Sequence, residues 1–131
     1  MKLLIILLSV IILATVACKK DHPYETEVAR KIQFSLYTDK DFSDDSKNIT
    51  FTMIIQNAAS TTIWDSVLAT MKVNDIPSLE NKIFAEKTVI VKKSAELKIG
   101  FLYTIEGVGN SWFFGKSEAG DTVRKLDYNF Q

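Results

Sequence analysis

The chain has one cysteine, one histidine, two prolines and no excess of charge of either sign, with sixteen basic residues balancing sixteen acidic ones. Each scarcity closes off a class of chemistry. A single cysteine, Cys18, excludes an intramolecular disulfide. The only histidine, His22, stands beside Pro23 in a polar segment near the N-terminus, so Cys-His and Ser-His-Asp constellations have no members to assemble from within a folded domain. Zinc sites lose their usual ligands for the same reason. The charge balance gives no basic face of the kind that tracks nucleic acid. No apolar run after Cys18 is long enough to cross a bilayer as a helix. Carboxylate-only chemistry of the glycosidase kind remains open, yet the acids are scattered through turns without an identifiable pair. A non-enzymatic protein is therefore expected, with no resident cofactor.

What is present begins with the first eighteen residues. Met1 and Lys2 form a short positive region, Leu3 to Val16 is apolar apart from Ser9 and Thr15, and Ala17-Cys18 follows. This is the pattern of a secretory signal peptide. The run falls short of the roughly eighteen to twenty residues that span a bilayer core, and Lys19, Lys20 and Asp21 follow at once. Thr15-Val16-Ala17 before Cys18 resembles the lipobox of bacterial lipoproteins, with Thr15 at the position where leucine is usual. The resemblance implies cleavage after Ala17 and a Cys18 bearing diacylglycerol and an N-acyl chain. Each buried methylene contributes about 0.8 kcal/mol, so two or three chains hold a protein to a membrane without any span. Lys19-Lys20-Asp21 is similar to the charged tags behind the lipidated cysteine of surface-exported Bacteroidota lipoproteins, which implies the outer membrane, facing outward. The expected organisation is a signal peptide over 1–17, a lipidated cysteine and tether over 18–29, and one domain over 30–131.

Within that domain hydropathy alternates with period two, and 47% hydrophobic residues supply a core. Ile32, Phe34 and Leu36 mark a first strand. Ile49, Phe51, Met53 and Ile55 mark a second, and Val67, Ala69, Met71 and Val73 the inner face of a third, before a turn around Pro77. A strand over 82–91 follows. Leu97, Ile99, Phe101, Tyr103 and Ile105 form the clearest one-sided pattern. Residues 110–114 and the alternation of Leu126, Tyr128 and Phe130 complete about seven strands. The expected fold is all-β, an antiparallel two-layer sandwich of immunoglobulin-like or transthyretin-like kind. An outer-membrane barrel is the weaker alternative, because Lys and Glu occupy the outer faces.

Two features suggest ligand contact. Asp39, Asp41, Ser43 and Asp45 place oxygens at alternate positions, as in the start of a calcium-binding EF-hand loop, but Asp44 and Thr50 stand where that loop needs glycine and glutamate. A solvated turn is the simpler reading. Trp112-Phe113-Phe114 and Trp64 offer aromatic surface for a glycan or peptide, with Trp64 expected on the outer face of the third strand. Half of such residues must face the core, where each buries a large area. As a whole the chain resembles small Bacteroidota-type outer-membrane lipoproteins, a resemblance that implies no activity. The expected role is an interaction module on the cell envelope that contacts a glycan, a peptide or an outer-membrane protein. The alternative is an accessory subunit of an outer-membrane complex, with a carboxylate-based hydrolase ranked last.

Overall fold

The computed structural model describes residues 23–131, so the signal peptide, Cys18 and the tether as far as residue 22 lie outside the described residues. Seven strands account for most of what is described: β1 (Glu27–Tyr37), β2 (Asn48–Asn57), β3 (Thr62–Lys72), β4 (Ile83–Lys92), β5 (Leu97–Ile105), β6 (Gly109–Ser117) and β7 (Val123–Asn129). They form a three-stranded sheet in the order β4-β1-β7 and a four-stranded sheet in the order β3-β2-β5-β6. The two sheets stay open-edged and pack face to face, which is the expected sandwich.

The pairing is antiparallel with one exception: β1 and β7 run parallel, from Lys31 beside Val123 to Tyr37 beside Asn129. In an immunoglobulin sandwich the first strand shares a sheet with the second. Here β1 lies with β4 and β7, so the immunoglobulin order is not the one adopted. The parallel pair is reached only after the chain has built the whole opposite sheet, a non-local closure that alternation cannot register.

The core is the inner face of both sheets. Ile32, Phe34 and Leu36 from β1 meet Ile49, Phe51 and Ile55 from β2 and Leu97, Ile99 and Phe101 from β5, all nearly or fully buried. Leu126, Tyr128 and Phe130 close it from the C-terminal segment. Aromatic rings fill much of its volume: Phe113 stacks on Tyr128 at 4.5 Å, and Phe34 meets Phe101 edge-on at 5.6 Å. Burial pushes the Tyr128 hydroxyl well above the usual phenol range, with Tyr103 as its hydrogen-bond partner.

Two elements depart from the alternation. The first strand begins at Glu27, earlier than the expected boundary at residue 30, and pairs with β4 from its first residue. Its next core-facing position before Ile32 is Arg30, fully buried, so the hydropathy pattern hides the strand's start. In β3, Phe51 pairs with Ala69 while Thr52 pairs with Val67, leaving Leu68 as an extra residue in a bulge. A bulge reverses which residues face inward from that point on. Met71 and Ala69 lie opposite core residues as expected, but Val67 is turned out and 59% exposed. Trp64 is turned in, opposite Ile55 and 6.4 Å from the Phe34 ring.

The exposed edges are guarded. A second register shift frees Ile63 in β3, and two bulges in one edge strand disrupt the flat ladder another chain would need. On the facing edge, β4 directs Lys87 inward, with Nζ 5.3 Å from the centre of the Trp64 ring. An inward lysine is a second device against edge-to-edge pairing.

Candidate functional site

The outer faces of the two sheets differ in character. On the smaller sheet two ion pairs, Lys31 with Glu86 at 3.7 Å and Lys82 with Asp127 at 3.2 Å, lie among exposed Phe84, Ile90 and Val123. Gln33, Ser35, Phe84 and Lys125 join Lys82 and Asp127 around a shallow groove of about 350 Å³. Asp127 is held below the usual carboxylate range by the Ser35 hydroxyl first, then by Lys82. A depressed carboxylate contributes stability that is complete above its unfolded-state value and is lost as the pH falls through the lower folded value. Asp127→Asn is therefore expected to flatten the acid limb of the stability-against-pH curve, measured by urea denaturation at steps below pH 5. An unchanged acid limb would mean the pairing contributes nothing in solution.

On the larger sheet the charges stand at the margins instead. Core residues point inward from β2 and β5, so their neighbours point out, and the register aligns them in rows across the sheet. One row runs Val67, Thr52, Leu102, Trp112, from β3 to β6. The row on one side is Asp65, Ile54, Gly100, Phe114, and on the other Thr70, Thr50, Thr104, Asn110. Asp65, at the β3 edge, is the one ionisable residue among the twelve positions in those three rows. Trp112 is 67% exposed at their β6 end. Hydrogen bonds fix the polar neighbours, Thr50 with Thr70 at 3.0 Å and the Thr104 hydroxyl donating to Asn110 Oδ1 at 2.7 Å.

Gly100 leaves the room that Phe114 occupies on this face. A side chain there would run into the Phe113 carbonyl oxygen and the edge of the Phe114 ring, which fills the space above the glycine beside Ile54. An aromatic laid over a cross-strand glycine is a known way of completing a sheet face. Ile54 is only 4% exposed despite its outward position. Charge returns at the platform's margins: Lys98 and Lys116 on the next row, the latter 3.6 Å from Glu96, and the Asn48–Glu106 hydrogen bond at the opposite end.

No family model, curated protein or solved structure matches this chain.

Of the two tryptophans expected to offer ligand contact, the structure exposes Trp112 and corrects Trp64. Trp64 is a partly buried wall of the core under Lys87, because the Leu68 bulge turned it inward. The central aromatic run divides as a strand must: Phe113 goes to the core, while Trp112 and Phe114 share the outer face. Leu102 was not singled out by the sequence, and Val67 was expected to face the core. Their link to Trp112 lies in cross-strand register, which alternation along one strand does not contain.

The acidic loop lies at the end of the sandwich opposite the start of β1. Its carboxylates serve their own turn: Asp41 accepts from the Ser43 amide at 3.0 Å and Asp45 from the Lys47 amide at 3.1 Å. Those amides hold both acids below the usual range, and the Asn129 side chain does the same for Asp39. Among the described residues no group of three or more His, Cys, Asp or Glu is placed to hold a metal ion. Asp39, Asp41, Ser43 and Asp45 form a hydrogen-bonded turn.

At the other end Arg30 is fully buried. Its Nε donates to the Asp121 carbonyl at 2.8 Å and its Nη1 to the Ala95 carbonyl at 2.9 Å, with the Ser117 hydroxyl at 3.4 Å. The guanidinium thus ties the β4–β5 and β6–β7 connections to β1. Among the described residues its Nη2 has no partner. That atom is sealed from solvent, so this is a structural clamp rather than an opening for a ligand.

Proposed function

We propose that the chain is a cell-envelope lipoprotein, held to the outer membrane through acylated Cys18, that works as a non-catalytic interaction module through the outer face of its larger sheet. The observation that carries the binding reading is the contrast between faces. The smaller sheet's outer face mixes two ion pairs with exposed Phe84, Ile90 and Val123, whereas the larger sheet's outer face keeps an uncharged centre with an exposed tryptophan and a charged margin. An apolar and aromatic centre inside a polar rim is the anatomy of contact surfaces generally. The address rests on the sequence around Cys18. From Cys18 to Glu27 the tether extends at most about 30 Å, so the domain stays close to the membrane.

One experiment tests both parts. A photoreactive amino acid is placed at Leu102 or at Gln33 in the full chain, in wild-type and Cys18→Ser backgrounds, followed by irradiation of whole cells and fractionation. The wild-type chain is expected in the membrane fraction, with adducts from position 102 and few from position 33. The Cys18→Ser chain is expected to leave that fraction. Adducts concentrated at position 33 would refute the face, and unchanged partitioning of the serine variant would refute the anchor.

A further inference from the structure

We propose that the occupant of the larger sheet's outer face is a neutral oligosaccharide lying across β6, β5 and β2, with one sugar ring stacked on Trp112 and the next beside Phe114. This rests on the interaction-module reading above and names the ligand class of the same face. Three features point to a sugar.

The first is size. Three inter-strand spacings make the platform about 14 Å wide, and two steps of two residues along the strands make it about as long. Its area is therefore about 200 Å², far below the roughly 800 Å² per partner of a standard protein interface. A short oligosaccharide fits that area.

The second is charge. The centre offers no cation, and the lysines at positions 98 and 116 stand one row away, the second beside Glu96. A carboxylated or sulfated polymer would find no partner at the centre, whereas a neutral ligand loses nothing there.

The third is the mixture of groups. Pyranose rings present a face of C–H bonds to an indole and a rim of hydroxyls to its surroundings. Trp112 and Phe114 place two aromatic side chains on the outward side of one strand, two residues and about 7 Å apart. Thr52, Thr104 and Asn110 supply hydroxyl and amide groups within the same rows, two of them already oriented by their mutual hydrogen bond. Few orienting polar groups on an apolar floor is how small-ligand sites are usually furnished. Edge placement matters as well, since β6 has sheet on only one side and leaves Trp112 accessible.

The test uses the full chain purified in detergent and a panel of hexasaccharides: cello-, xylo-, manno- and malto-oligosaccharides, with polygalacturonate as the charged member. Binding is read by isothermal calorimetry and by ligand NMR. At least one neutral hexasaccharide should bind saturably with millimolar or better affinity. Trp112→Ala should weaken it about tenfold or more, Leu102→Lys should abolish it, and Trp64→Phe should leave it unchanged. Both platform side chains are solvent-facing, and circular dichroism checks that the variants fold. Absence of saturable binding across the neutral sugars, preference for polygalacturonate, or indifference to Trp112→Ala would overturn the proposal. Protein adducts from position 102 in cells together with no sugar binding would sink the glycan while leaving the face as a docking surface. No adducts and no sugar binding would remove both.

Discussion

Replacing Gly100 with alanine is expected to destabilise the domain by about 2 kcal/mol, and with valine by more, because the first added carbon has nowhere to go. The atom it meets most closely is the backbone oxygen of Phe113, so accommodation requires β5 and β6 to separate where they pair. The second obstacle, the Phe114 ring, can rotate away, but doing so moves it from its place beside Ile54 and Trp112. The two contributions separate in a double-mutant cycle. Phe114→Ala alone should cost about 1 kcal/mol by exposing apolar surface, and combined with Gly100→Ala it should recover only the ring's share of the loss. Urea denaturation of the four proteins gives the numbers. A Gly100→Ala midpoint within experimental error of the wild type would mean that the strands give way freely and that the glycine is not what shapes the platform.

The second large effect is expected at Arg30. Truncation to alanine removes donors from the carbonyls of Ala95 and Asp121 and leaves a cavity among Ser117 and the start of β1. Unsatisfied buried carbonyls cost about 1–3 kcal/mol each, and the cavity adds to this, so a total of about 3 kcal/mol is expected. Methionine should recover part of it, since it restores volume and brings no charge that must be desolvated. Lysine should not, because a single ammonium on a flexible stem cannot reproduce a planar fork donating in two directions. Hydrogen exchange gives the local signature: amides of residues 93–96 and 118–122 should lose protection in Arg30→Met while the β2–β5 pair keeps it. Uniform loss over the whole domain would show that Arg30 supports the core rather than clamping two connections.

Both effects involve residues that the hydropathy pattern treats as ordinary. In the period-two reading Arg30 is a polar residue at the boundary of a tether, whereas in the fold it occupies the core-facing register continued by Ile32, Phe34 and Leu36. Gly100 is one outward position among several in β5. Only pairing with β6 shows that Phe114 covers it. Trp64 makes the same point from the other side. Counting by twos from Met71 through Ala69 gives Val67 an inward side chain and sends Trp64 out, and one unpaired residue at Leu68 reverses both. A bulge carries no signature in composition, and its consequence is a change of face for every residue beyond it.

By itself the sequence determined the all-β class, the seven strands, and the core faces of β1, β2, β5 and β7. These are properties of alternation along a single strand, which a chain displays before it folds. Tertiary structure alone decided the strand order with its parallel β1–β7 pair, the inward turn of Trp64, the buried clamp at Arg30, and the uncharged rows that join Trp112 to Leu102, Thr52 and Val67. Those arise between strands far apart in the chain, where register and a single extra residue determine which side chains become neighbours.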